Sequence, residues 1–310
     1  MQSTSEMTPT ETLIENAERQ RRLLCRAAWA GVAFVAVAIL FVVSQPLHVR
    51  WQLRQHGWKL EPSPGRGGLP GRGLPDWAPQ WADFWFGKFE RVHLKRSQLR
   101  PGDLDLLQRL PEVGWIHLES TDVSELALEK IGKLPDLWVV DFAEVKLESA
   151  GLRHLAAAPK LEALNFYNTV LDETALDGIA NCRYLTGLRL TGISDDNLRH
   201  LSRLHGLKGL EIRNCRLTDA GARQVVDGLP GLTTLAIYDA SFSDAAVAEF
   251  ARLPKLEYLV LSDLPITDAG LSELRTCASL KSVFVKNSKA TSASITKLRK
   301  SLPTLEVSIE

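Results

Sequence analysis

A frame of about 24 residues recurs through the last two-thirds of this chain, and no other feature limits its fold as severely. Cutting the sequence at Phe86, Leu110, Leu134, Ala158, Cys182, Leu204, Leu229, Leu253, Cys277 and Leu302 gives spacings of 24, 24, 24, 24, 22, 25, 24, 24 and 25 residues. Nearly every unit carries Leu-Pro-x-Leu-x-x-Leu-x-Leu, a gap, then Leu/Ile-Thr/Ser-Asp-x-x-Leu-x-x-Leu. The clearest copy is Leu253 to Thr276, LPKLEYLVLSDLPITDAGLSELRT. Leu259 and Leu261 in that copy have the period of two of a strand with one buried face. Thr267 and Asp268 stand where a helix begins, their oxygens able to accept from its unpaired amides, and Leu271 and Leu274 then face inward three residues apart. One such unit cannot bury its own apolar face. Units therefore stack, and the predicted fold class is α/β: a solenoid with a concave parallel sheet and a convex row of helices.

On these motifs the chain resembles leucine-rich-repeat proteins of the ribonuclease-inhibitor-like type and, more narrowly, the membrane-anchored "LTDAGL" repeat proteins of planctomycete bacteria. Leu217 to Ala222 (LTDAGA) and Ile266 to Leu271 (ITDAGL) carry the narrower resemblance. It covers residues 80–310, the predicted repeat domain, and implies protein binding rather than chemistry. Two departures stand out. The position that holds Asn or Cys in many such repeats is here Thr121, Val145, Thr169, Cys215, Ala240, Leu264 and Ser288, so loop carbonyls must find other donors. The short unit from Cys182 compresses the turn at Thr191 to Ser194, where an irregular turn is expected.

Upstream, Ala27 to Val43 (AAWAGVAFVAVAILFVV) has no charge, and Ser44 to Leu47 extend the uncharged run to the length a spanning helix needs. Residues 27–47 read as a single transmembrane helix ended near Pro46, preceded by a polar helical segment over 1–26. A cleaved signal peptide fits less well, because its n-region would be unusually long and no clean small-x-small site follows. Arg19, Arg21, Arg22 and Arg26 precede the span while Arg50, Arg54 and Lys59 follow it, a slight excess that favours a cytoplasmic N-terminus and a non-cytoplasmic repeat domain. Ala27 and Gly31 have small-xxx-small spacing, but so many alanines are present that oligomeric state stays open. Residues 48–79, with PSPGRGGLPGRGLP, read as a Gly/Pro-rich linker. Trp77, Trp81, Phe84, Trp85 and Phe89 then crowd together as a packing cap for the first repeat.

Lys plus Arg and Asp plus Glu number 37 each, which removes any global field that would argue for nucleic acid. Cys25, Cys182, Cys215 and Cys277 lie far apart, so buried free thiols are expected rather than a metal knuckle or disulfide framework. No nucleophile elbow, phosphate loop, HExxH or dinucleotide fingerprint is present, and no cofactor is implied.

The register fixes which side chains leave the concave face: those flanking the buried pair of each strand. From the N-terminal end they are Arg91, His93, Lys95; Trp115, His117, Glu119; Val139, Asp141, Ala143; Ala163, Asn165, Tyr167; Gly187, Arg189, Thr191; Gly209, Glu211, Arg213; Thr234, Ala236, Tyr238; Tyr258, Val260, Ser262; and Ser282, Phe284, Lys286. Amphipathic aromatics anchor interfaces, although strands favour aromatics for packing as well. The expected contact residues for a protein or peptide partner are Trp115, His117, Asp141, Asn165, Tyr167, Arg189, Glu211, Arg213, Tyr238, Tyr258 and Phe284. His93, His117 and Asp141 share one column and are close enough to hold a metal ion, with Glu119 close by in the same region, but three aligned polar groups on an open sheet are more commonly only solvated. The favoured function is a membrane-anchored, non-catalytic interaction scaffold. The alternatives are a structural envelope component without a specific partner and, least favoured, a metal-dependent enzyme.

Overall fold

Each repeat lays down one strand, and the strands align because their leucines must share a common interior. The computed structural model describes residues 48–61, 91–95, 99, 101–110 and 113–309. The chain divides into two units, Met1–Trp51 and Gln52–Glu310, and the sheet lies wholly in the second.

Among the described residues, eleven strands form that sheet. In spatial order they are β1 (Trp58–Glu61), β2 (Arg91–Lys95), β3 (Trp115–Glu119), β5 (Val139–Ala143), β7 (Ala163–Val170), β8 (Gly187–Thr191), β9 (Gly209–Arg213), β10 (Thr234–Tyr238), β11 (Tyr258–Ser262), β12 (Ser282–Lys286) and β13 (Glu306–Ile309). Two further short strands, β4 (Asp122–Val123) and β6 (Lys146–Leu147), pair with each other as a separate two-stranded sheet. From β2 onward every pairing is parallel; β1 alone runs antiparallel to its neighbour. This is the architecture of a leucine-rich-repeat solenoid.

Two rows of side chains fill the interior behind the sheet. Val92, Ile116, Val140, Leu164, Leu188, Leu210, Leu235, Leu259 and Val283 make one; Leu94, Leu118, Phe142, Phe166, Leu190, Ile212, Ile237, Leu261 and Val285 make the other, and none is more than 3% exposed. Burying each such side chain is worth about 1.5–3 kcal/mol against leaving it in water, so the strands hold their register through these rows. Phe142 and Phe166 stack with ring centroids 5.1 Å apart.

The convex side carries α1 (Pro101–Gln108), α2 (Glu125–Gly132), a 3-10 helix (Ser149–Ala157), α3 (Glu173–Ile179), α4 (Asp195–Leu201), α5 (Asp219–Gly228), α6 (Asp244–Phe250), α7 (Asp268–Glu273) and α8 (Ser292–Ser301). Side chains of Ser124, Asp172, Thr218, Ser243 and Thr267 cap their helices by accepting from a first-turn amide. Where the motif lapses to Glu148-Ser149, no side chain caps the segment and it tightens to 3-10. The Asp of the repeated Thr/Ser-Asp pair has a separate task. Asp195 accepts from the backbone N–H (3.0 Å) and hydroxyl (2.6 Å) of Thr218, and Asp219, Asp244 and Asp268 treat Ser243, Thr267 and Thr291 in the same way. A two-pronged ladder thus joins successive helix starts.

After most strands the chain reverses through one left-handed residue. Ser120, Glu144, Asn168, Asn214, Asp239, Asp263 and Asn287 have φ between 46° and 60°, a conformation Asn and Asp tolerate better than most. Glycine fills this place once, at Gly192 (φ +74°), inside the expected irregular turn, and there the β7–β8 register shifts. The donors that replace an asparagine ladder are the amides of these turns and threonine hydroxyls. Glu144 N–H donates to the Tyr167 carbonyl at 2.9 Å, and Thr169 Oγ1 donates to that same carbonyl at 3.1 Å.

One expectation is corrected at the N-terminal end, where residues 48–61 are not an irregular tether. Residues 48–55 are helical, and Trp58 and Leu60, 2% and 4% exposed, alternate with polar Lys59 and Glu61 in β1. Asp103 of α1, 1% exposed, accepts from Trp58 Nε1 at 3.2 Å and pairs with His56 Nδ1, which ties β1 to the first helix. No described helix is long and apolar enough to cross a membrane. The predicted span at 27–47 and the aromatic cluster from Trp77 to Phe89 lie outside the described residues.

Candidate functional site

Parallel pairing sets the outward side chains in three columns across the concave face. The middle one runs His93, His117, Asp141, Asn165, Arg189, Glu211, Ala236, Val260 and Phe284, each opposite the next in the hydrogen-bonded register. At about 4.8 Å between strands, β2 to β12 make a surface on the order of 40 Å long.

The first column changes size along its length. Trp115 gives way to Val139, Ala163, Gly187, Gly209 and Thr234 before Tyr258 restores bulk. Gly187 and Gly209 leave the sheet backbone bare, and a hollow of about 180 Å³ opens there, lined by Asn165, Arg189, Glu211, Thr234 and Ala236 among others. The sequence registers these glycines as outward residues. That they make a depression follows only from their adjacency to other small side chains.

Charged and aromatic groups surround the hollow as one network. Glu211 bridges two arginines, accepting from Arg189 Nη2 at 2.6 Å and from Arg213 Nε at 2.5 Å. The Arg189 guanidinium also donates to the Tyr167 hydroxyl and lies 4.6 Å over that ring, while Arg213 lies 3.9 Å over Tyr238. Burial raises the Tyr167 hydroxyl above the ordinary tyrosine range despite the nearby arginine, so it stays protonated at neutral pH. Tyr167 and Tyr238 are half-buried and Tyr258 is 46% exposed. None of the three has been withdrawn into the core.

At the N-terminal end the arrangement differs from expectation. Asp141 is 3% exposed and does not face the groove as a contact residue. Its carboxylate accepts from Trp115 Nε1 at 2.7 Å and Asn165 Nδ2 at 2.7 Å, and it pairs with His117 Nδ1 at 3.1 Å. Trp115 is accordingly held from two sides, with the Arg91 guanidinium 3.4 Å over its ring. Three potential ligands do converge here, but the third is Glu119 rather than Asp141. Donor atoms of His93, His117 and Glu119 lie within 4.8 Å of one another. Glu119 Oε2 is 3.4 Å from His93 Nε2 and Oε1 is 2.6 Å from Lys95 Nζ, and the lysine hydrogen bond holds this carboxyl below the usual glutamate range.

The thiols of Cys182, Cys215 and Cys277 are free and buried, and burial pushes Cys182 up to about 12, out of reach of nucleophilic work.

No protein-family model matches the chain, and no curated protein sequence matches it. Among solved structures it is similar to an internalin (inlF) from Listeria monocytogenes, with 20% identity and a TM-score of 0.49, over 66% of this chain and 56% of that one. It is similar to an internalin C2 (inlC2) from the same organism, again with 20% identity and a TM-score of 0.49, over 68% of this chain and 84% of that one. The chain therefore spans little more than half the length of the first of these structures.

Proposed function

We propose that this chain is a non-catalytic interaction scaffold that takes a protein or peptide along its concave face and is held to a membrane by residues 27–47. The observation that carries this reading is the hollow at Gly187 and Gly209, walled by an ordered Tyr167–Arg189–Glu211–Arg213–Tyr238 network, with Tyr258 standing beyond it. Side chains already fixed by neighbours lose little freedom on binding, and a bare depression among them admits one protruding side chain. The membrane tether rests on the uncharged run in the sequence and on the "LTDAGL" resemblance; a non-cytoplasmic repeat domain rests on the slight excess of basic residues before the span over Arg50, Arg54 and Lys59 after it.

A photoreactive residue at Val260, in the groove, and another at Ala245, on a convex helix, test the reading in intact cells. One discrete adduct from Val260 that Ala245 does not give, and that Gly209→Trp abolishes, supports it. Identical adducts from both positions, or none from Val260, overturn it. Protease accessibility of the repeat domain in intact cells against lysed ones tests the side of the membrane.

A further inference from the structure

We infer that His93, His117 and Glu119 form a binding site for one divalent transition-metal ion of the zinc class. Parallel register puts the two imidazoles on adjacent strands, with ring centroids 4.4 Å apart, and Glu119 follows His117 by two residues on the same face of β3. Two imidazole nitrogens and a carboxylate oxygen are a donor set that zinc accepts at about 2.0–2.2 Å each. Donor atoms within 4.8 Å of one another reach that geometry by small side-chain rotations.

The observation that separates this cluster from an ordinary polar patch is Asp141. Nearly fully buried, it is clamped by Trp115 and Asn165 and pairs with His117 Nδ1. A hydrogen bond from Nδ1 to a carboxylate fixes the tautomer and ring orientation that leave the Nε2 lone pair for a metal. The outward-facing side of the site is about one quarter exposed: His93, His117 and Glu119 side chains are 26%, 24% and 24% exposed, so a fourth ligand can arrive from the groove. Lys95 is the internal competitor, neutralising the carboxylate that the ion would use.

The test uses metal-stripped full-length protein in detergent, titrated with Co²⁺ and then Zn²⁺, reading the cobalt ligand-field spectrum. One equivalent of cobalt per chain is expected, with the spectrum of a low-coordinate nitrogen and oxygen site that zinc erases. His93→Gln and Glu119→Gln each weaken binding at least 10-fold, and Asp141→Asn, which keeps every ligand, weakens it by about 10–100-fold. Lys95→Met tightens binding, a gain that misfolding cannot imitate. His154→Gln and His200→Gln, on the convex side, leave it unchanged. The proposal is overturned by absence of saturable binding, by binding that survives His93→Gln with His117→Gln, by equal losses in the convex variants, or by no gain with Lys95→Met.

Discussion

Asp195 grips Thr218 twice, by its N–H and by its hydroxyl, across 23 residues of sequence. Thr218 meanwhile caps its own helix by accepting from Ala220 N–H. One threonine therefore serves both the start of a helix and the joint between two helices. Thr218→Val removes the cap and one prong of the grip, and is expected to cost about 1–2 kcal/mol. Urea unfolding followed by circular dichroism measures it. Asp195→Asn should cost less, because the amide oxygen still accepts.

Acid should loosen the same ladder at its far end. The Asp268 carboxyl is held below the ordinary aspartate range, first by the Thr291 N–H and then by the hydroxyls of Thr291 and Ser294. A carboxyl whose folded value is depressed gives stability that is whole above its unfolded value, near ~3.9, and is lost as pH falls through the folded value. Stability of the wild type should decline below about pH 4 more steeply than that of Asp268→Asn. Urea midpoints measured from pH 6 to pH 3 check this, and parallel curves would contradict it.

Two glycine-to-alanine changes should have opposite signs. A Cβ at Gly132, in the last turn of α2, would meet the His154 carbonyl oxygen at 2.2 Å, whereas one at Gly102 in α1 meets nothing within 4 Å. Alanine gains at most about 1 kcal/mol of helix propensity, the value for a helix interior, and less at these positions near helix ends. Overpacking against backbone costs about 1–3 kcal/mol or more, so Gly132→Ala is expected to lower the melting temperature and Gly102→Ala to hold or raise it.

Cys182 should report unfolding. With its thiol raised to about 12 by burial, alkylation at pH 8 is expected to proceed only as fast as the solenoid opens. Site-resolved mass spectrometry over a urea series gives the rate, and fast labelling in native buffer would refute the buried placement.

Phe166 is stacked on Phe142 in the interior and fully buried, and Phe166→Ala should cost about 3–5 kcal/mol in the same urea assay.

The repeat frame made the sheet register legible before any coordinates, because a period of two inside a period of 24 leaves one choice of which residues face inward. Leu259 and Leu261 fix Tyr258, Val260 and Ser262 as outward; the structure puts the three in register with their neighbours and leaves Tyr258 and Val260 accessible, while Ser262 is 3% exposed. What escaped sequence reasoning was how outward residues satisfy one another. Asp141 sits in an outward position yet is drawn under Trp115 and Asn165, since a carboxylate among three donors is better paired than hydrated. Glu119, placed beside the candidate ligands by the sequence because side chains two apart on a strand share a face, takes the third ligand position in place of the buried Asp141. β1 was missed for another reason: Trp58 and Leu60 alternate correctly with Lys59 and Glu61, but the glycines and prolines that follow drew the boundary too early.

That first strand has a consequence for self-association. Parallel solenoids invite head-to-tail growth, since an exposed terminal strand is a template for the next molecule. Among the described strands, the outermost at this end is β1, and it points the wrong way for such an extension. A second copy stacked in the solenoid's own direction would have to pair antiparallel with β1, so the parallel register of the other strands does not carry on across this end.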